Sequence, residues 1–330
     1  MASEQTSLTP GPPSLTLVVL TRNEELNLSA CLESLRGCAR EIMVVDSGST
    51  DATIDIAMRC GATIFRHDFD THAKQWDWAL SNLPIQTDWI LALDADQRLT
   101  PELRDEIAGL ITGSGEATAA ITGAYTSRRQ IFRGTWIRHG GYYPKYLLKL
   151  FRTGSARVDV GDMVDHHFRV QGNVVKLKHD LIEDNQNEAD ISVWTAKHNR
   201  YAKLQALQEY GDEIGRGGQF LAARLFGTPD ERTLWLKRLW SKLPLYLRPL
   251  LYFIYRYFMR LGFLDGKQGL VFHFLQGFWY RLLVDVNLDE LRRAGSSTDA
   301  PNPVQILARA ANGGESNTKE PVAAAKEIRG

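Results

Sequence analysis

The sequence has little of several things, and each shortage removes a class of protein. It holds three cysteines, Cys31, Cys38 and Cys60. An odd count without metal-knuckle spacing excludes a disulfide framework and leads us to expect reduced thiols in a cytosolic setting. No run of about eighteen uncharged apolar residues is present, which argues against a simple transmembrane helix. The opening MASEQTSLTPGPPS lacks the basic start and apolar core of a signal peptide. Lysine plus arginine and aspartate plus glutamate both total 39, a net charge of zero, so no nucleic-acid partner is implied. Neither G-x-G-x-x-G nor G-x-x-x-x-G-K-[ST] occurs, and dinucleotide and P-loop readings lose support. There is no internal repeat.

What is present begins after the polar, proline-rich leader of residues 1–14. LTLVVLT (15–21) is a short β-branched apolar run and predicts a buried strand. Thr21 and Glu24 have capping-box spacing, and Leu28, Cys31, Leu32 and Leu35 repeat at helical intervals up to Gly37. The pattern then recurs. EIMVVD, ATIFRH and DWILALDAD read as further strands, with helices marked by Ile54, Ala57 and Met58 and by Trp76 and Leu80 between them. Thr100 and Pro101 open a helix with Leu103, Ile107 and Leu110 on its apolar face. Strand and helix alternate four times in about a hundred residues, the signature of parallel βαβ units. Ligands bind such sheets at the carboxyl ends of the strands. The polar clusters Thr21–Glu25, Asp46–Asp51 and Asp94–Asp96 fall at those ends.

Asp94 and Asp96 are the first candidate site. In an extended strand, residues two apart point to one side, so the pair would converge on a hard divalent cation shared with substrate phosphates. A D-x-D triplet alone is weak evidence, since Asp68 and Asp70 form a second one. The second candidate is VVDSGSTDAT, where Asp46 ends a strand and would accept a hydrogen bond from a base or ribose. A plain strand–turn–helix capped by Ser49 or Thr50 is the competing reading.

Taken in order, VVLTRNEELNLSACLESL, EIMVVDSGSTDAT and WILALDADQRLTPEL resemble the nucleotide-sugar half of family 2 glycosyltransferases. The similarity is close over 15–110 and looser through HGGYYPKYLLKLFRTG and VDHHF to WTAKHNRYAKLQA. The resemblance implies an α/β fold of GT-A type, a Rossmann-like mostly parallel sheet flanked by helices. It also implies an inverting, Mg²⁺- or Mn²⁺-dependent hexosyltransferase-type reaction on a nucleotide-diphosphate sugar. The subgroup it is most similar to builds bacterial envelope glycans such as lipopolysaccharide core or exopolysaccharide. By the same resemblance Thr21, Asn23, Glu24, Asp46, Ser49, Lys74 and Asp94 would serve the donor, and Asp96 with Asp94 the metal. Relatives often carry an acid after the second aspartate; here Gln97 stands there.

An inverting transfer needs a base for the acceptor hydroxyl. GDMVDHHF offers Asp165 and His166 for that role, where relatives show an acidic pair. Arg138, His139 and Lys145 would meet an anionic acceptor or the leaving diphosphate, and arginine suits phosphate through its planar fork. Two rival readings are a polyprenyl-phosphate sugar synthase and a non-catalytic membrane-bound sugar-nucleotide binding protein.

The expected organisation is a transferase domain over 15–230, split into a nucleotide-sugar half (15–120) and an acceptor half (121–230). A basic, aromatic, amphipathic helical appendage (231–294) and a disordered tail (295–330) follow. In the appendage, Pro249 would open a helix too short to span a bilayer, with Arg248, Arg256 and Arg260 along one stripe. An apolar-aromatic body with snorkelling basic groups describes a helix lying on an anionic membrane surface; a helical hairpin packed on the catalytic domain or on a second copy is the competing reading. The enzyme would therefore sit in the cytoplasm, peripheral on the inner face of the cell membrane, beside a lipid-linked acceptor.

Overall fold

The structure, a computed structural model, describes residues 14–113, 115–164, 166–215 and 223–295. Nearly all of the leader, nearly all of the tail, and Asp165 lie outside the described residues.

The N-terminal half alternates as the pattern predicts: β1 (Leu15–Thr21), α1 (Leu28–Ser34), β2 (Glu41–Asp46), α2 (Thr53–Arg59), β3 (Thr63–Arg66), α3 (His72–Asn82) and β4 (Trp89–Asp94). β5 (Gln97–Leu99), α4 (Pro101–Thr112) and α5 (Glu116–Ala119) follow, then β6 (Ile121–Phe132), β7 (Thr135–Trp136), β8 (Tyr146–Arg152), β9 (Ala156–Val158), β10 (Phe168–Val170) and β11 (Asn173–Glu183). The main sheet runs β3-β2-β1-β4-β8-β6-β11-β5. β3, β2, β1 and β4 are mutually parallel; from β8 onward the directions are mixed, with β6 and β11 parallel and the other pairings antiparallel. One sheet thus joins both halves of the expected transferase domain.

The period-two alternation of β1 divides the core. Leu15, Leu17 and Val19 pack with α1 and α4, whereas Val18 and Leu20 pack with α3 around Trp76. Enclosing a side chain as large as Trp76 contributes on the order of 3 kcal/mol. The parity of β4 matters for the site. Ile90 and Ala92 face the α3 layer, and Asp94 continues that series toward His72 at the start of α3.

Two local expectations are corrected. The chain after Thr21 does not enter a helix. Asn23 takes a left-handed conformation (φ 56°), the Glu24 carbonyl accepts from the Asn27 and Leu28 amides, and α1 starts only at Leu28. Likewise β4 ends at Asp94, and Asp96 lies in a turn leading to β5, so the pleat of a strand is not what sets its direction. Thr100, by contrast, caps α4 as expected, accepting from the Leu103 amide with Pro101 in the first turn.

The C-terminal part contains α6 (Ile191–Glu213), α7 (Pro229–Ser241), α8 (Leu247–Ile254) continued by a π turn to Met259, α9 (Gly266–Phe272), a π segment to Trp279, and α10 (Tyr280–Gly295). α6 and α10 share a core of Ala202, Ala206, Tyr210, Tyr280, Val284 and Leu288. The basic stripe expected on the α8 segment is overturned. Arg248 is buried in an ion pair with Asp285 at 2.6 Å and a second with Glu209 at 2.9 Å. Arg256 turns inward over the rings of Tyr142 and Tyr252 and donates to the Gly140 carbonyl. A guanidinium held by partners inside the fold satisfies its donors there and does not reach for headgroups.

Candidate active site

The strand tips of β1, β2 and β4 bring Thr21, Asp46 and Asp94 to one edge. Asp46 is almost wholly enclosed. One carboxylate oxygen accepts from the Thr21 and Ser49 hydroxyls, the other from the Gly48 and Ser49 amides at 3.0 Å. Gly48 sits at φ 84°, a conformation in which a side chain would be strained. Asn23 stitches the β1 loop to this turn: its amide donates to Ser49 Oγ (2.9 Å) and its side-chain carbonyl accepts from the Thr50 amide (2.8 Å). Neither Ser49 nor Thr50 caps α2, where Ala52 stands at the N-cap; Asp51 accepts from the Thr53 amide instead. Glu24 accepts from Asn27 and Asn187, and burial, with Asp94 and Asp51 nearby, raises its carboxyl above the ordinary value against the opposing pull of Asn27 and Lys197.

At the end of β4, Lys149 of β8 holds Asp94 Oδ2 at 2.9 Å, and the lysine is only 3% exposed. Burial alone would raise the Asp94 carboxyl; Lys149, His72 and His166 outweigh it and hold it well below the usual range. The other oxygen, Oδ1, is enclosed and makes no hydrogen bond; His72 Nε2 stands 3.5 Å away. His72 Nδ1 in turn lies 2.8 Å from His166 Nδ1, and the His166 ring packs against Trp76 and Phe168. One nitrogen of that pair must carry the shared proton.

Asp96 experiences the opposite field. Burial first, then Glu183, Asp94 and Glu24, push its carboxyl well above the ordinary value, with Lys197 opposing. Glu183 is fixed by Arg128 (2.8 and 3.1 Å) and Gln97 (2.8 Å), and Lys197 pairs with Glu188. Gln97 also accepts from the Asp94 amide, so this departure from the acidic residue of relatives braces both acids.

These residues suit a hard divalent cation. An enclosed carboxylate oxygen lacks a hydrogen-bond donor, and the adjoining Asp96 is buried beside Glu183, Asp94 and Glu24, a crowding of like charge that a cation would relieve. His72, Asp94 and His166 also bring ligand atoms within 4.8 Å of one another, a mixed nitrogen–oxygen set that suits manganese better than magnesium. Asp94 is common to both arrangements.

The remaining sequence candidates fall elsewhere. Lys74 lies in the first turn of α3, half exposed and paired with Asp70. His139 is bound through Nδ1 and its amide to Asp265, at 2.6 and 2.9 Å. Arg138 lies over the Trp136 ring, and Lys145 is exposed beside β8. Sequence reasoning missed His72, Lys149 and Glu183. The signal for Lys149 was legible: a lysine inside the apolar run YLLKLF requires a buried acid.

Comparison with known proteins adds a separate line of observation. The family model Glycosyl transferase family 2 matches residues 16–167. A lipopolysaccharide core biosynthesis glycosyltransferase, LpsC, of Rhizobium meliloti (strain 1021) is 30% identical over 278 residues, which cover 79% of this chain and 89% of the relative. An uncharacterized glycosyltransferase of Rickettsia typhi is 36% identical over 89 residues, and this chain spans 30% of its length. Among solved structures, glucosyl-3-phosphoglycerate synthase from Mycobacterium tuberculosis, in complex with Mn²⁺, UDP and glucosyl-3-phosphoglycerate, aligns with 39% of this chain and 51% of that chain at 19% identity. Its TM-score is 0.30, too slight a likeness to bear on the reaction.

Proposed function

The chain belongs to glycosyl transferase family 2, and from that premise we propose that it moves a sugar from a nucleotide-diphosphate sugar to a hydroxyl of a bacterial envelope glycan, with inversion at the anomeric carbon. The acceptor is lipid-linked and of the lipopolysaccharide-core or exopolysaccharide type, a reading supported by the name of the Rhizobium relative. The reaction would run at the cytoplasmic face of the membrane.

The observation that carries the donor assignment is the unbalanced charge at the end of β4. Asp94 offers an enclosed, unbonded Oδ1, and Asp96 is crowded by Glu183, Asp94 and Glu24. Asp96 and Asp94 would hold Mn²⁺ or Mg²⁺, with His72 at hand as a nitrogen donor. When bound, the ion supplies Lewis-acid stabilisation of the departing nucleoside diphosphate. Lys149 keeps Asp94 ionised and oriented. Thr21, Asn23, Glu24, Asp46 and Ser49 shape the two loops that would receive the nucleoside; Asp46 acts through the turn it organises, since both its oxygens are engaged there. Lys74 would approach the diphosphate after leaving Asp70. Asp165 or His166 takes the acceptor proton, and Arg138, His139 and Lys145 lie on the acceptor side.

The test is donor release. The protein is incubated with Mn²⁺ and a panel of nucleotide sugars, and nucleoside diphosphate is measured with and without envelope glycan lipid. One donor should be consumed, and Asp96→Ala should abolish its consumption while leaving the circular dichroism intact. Undiminished release by Asp96→Ala removes the metal assignment. A product bearing the sugar on a polyprenyl phosphate would replace the glycan acceptor by the lipid phosphate.

A further inference from the structure

The segment from α7 to the π turn after α9 reverses the usual layout of a surface helix. Along 247–259 the exposed positions recur at 247, 250–251, 254–255 and 258–259, and every one is apolar or aromatic, from Ile254 at 37% to Met259 at 72% exposed. The polar side chains of the same helix point inward, to Asp285, Glu209 and Gly140. A helix on a water-facing surface carries its charges outward. The apolar face continues into Leu261, Phe263 and Leu264 and reappears at Leu270 and Phe274. α7 lies alongside, tied to α8 by the Trp240–Tyr252 edge contact; α7 and the turn that follows it expose Leu236, Leu239 and Leu243 among Lys237, Arg238 and Lys242.

Charge decides what covers this face. From 232 to 284 the only acid is Asp265, whose side chain is enclosed against His139. Arg232, Lys237, Arg238, Lys242, Arg260 and Lys267 are all exposed. A second copy docked by two-fold symmetry would set this patch against itself and bring like charges together. No helix among the described residues is long and apolar enough to cross a membrane, and 247–259 is about 20 Å long.

We propose that this face seats the protein in the headgroup region of an anionic bilayer, with the 247–259 helix lying in the plane, its apolar stripe in the acyl boundary and the α7 cations on lipid phosphates. The cationic complement is thus α7, not the arginines of the helix itself. The same hairpin holds the acceptor-side loop through Asp265 to His139, Arg256 to the Gly140 carbonyl and the Gly140 amide to the Arg260 carbonyl. Docking would therefore bring that loop to the membrane, a consequence that rests on the transferase reading.

The full chain is sedimented with vesicles of phosphatidylcholine alone and of phosphatidylcholine with about one-third phosphatidylglycerol. Ile254→Glu/Phe258→Glu and Lys237→Gln/Arg238→Gln/Lys242→Gln are compared with the parent. The parent should pellet with the anionic vesicles. The first variant should stay in the supernatant. The second should lose on the order of a hundredfold in partitioning, since each basic residue near such a surface is worth roughly fivefold. Both should keep the parent's circular dichroism and its soluble donor release. A parent that stays in solution, variants that pellet as the parent does, or a parent dimer that the first variant dissolves would overturn the proposal. Donor release lost from the parent itself would count against the transferase reading and leave the docking surface standing.

Discussion

Replacing Lys149 by methionine removes the only side-chain hydrogen-bond donor to the Asp94 carboxylate among the described residues while keeping the apolar stem that packs in β8. At 2.9 Å and an effective dielectric of about 20, the lost attraction is about 6 kcal/mol gross. Removing one partner of a buried pair costs about 3–5 kcal/mol net, because the other charge is stranded. The Asp94 side chain retains 22% exposure, so we expect the lower end, about 3 kcal/mol at pH 7. The pH dependence has a definite sign. In the parent the Asp94 carboxyl is depressed, so its contribution is present above the unfolded carboxylate value of about 4 and is lost only in stronger acid. In Lys149→Met the burial that opposes ionisation is no longer countered by the lysine. The carboxyl then rises, and the deficit should shrink as pH falls from 7 toward about 4. Urea denaturation in EDTA at several pH values measures this. The double variant Lys149→Met/Asp94→Asn should recover most of the loss. Additive single effects, or a deficit that grows in acid, would refute the assignment of Lys149 as the counter-ion.

Two other predictions follow from the same site. Because burial and then its acidic neighbours push the Asp96 carboxyl up, metal binding should be linked to proton release there; Mn²⁺ affinity by calorimetry should weaken as pH falls, by at most about tenfold per pH unit, and Asp96→Asn should flatten that slope. His166→Gln, if His166 rather than Asp165 removes the acceptor proton, should lower kcat by about 10²–10⁴ with donor binding by equilibrium dialysis little changed; a full rate would pass the role to Asp165.

Much of the N-terminal sheet was legible because its causes are local. The short apolar runs of β1, β2 and β4 and the Thr100–Pro101 start of α4 are written in adjacent residues. The two errors near the site have local causes of another kind. The left-handed Asn23 breaks the expected helix start, and the turn at Ala95–Asp96 ends the strand early. The site's electrostatics were not legible, since they depend on residues far apart in the chain. Lys149 is 55 positions from Asp94, His166 is 94 from His72, and Gln97 is 86 from Glu183. The arginines of 247–259 show the same limit: spacing put them on a stripe, but Asp285, 37 positions beyond Arg248, turned that stripe inward. Local pattern fixes which elements form; pairing across the sheet and between helices decides which charges are spent inside.

The central claim is that surplus negative charge at the end of β4 exists to hold a divalent cation. Anomalous scattering from a crystal soaked with Mn²⁺ and nucleoside diphosphate tests it most directly. The account predicts one manganese peak within bonding distance of Asp94 Oδ1 or the Asp96 carboxylate, with diphosphate oxygens completing its shell. A fully bound nucleotide with no peak at either aspartate, or with the ion held elsewhere, would contradict it.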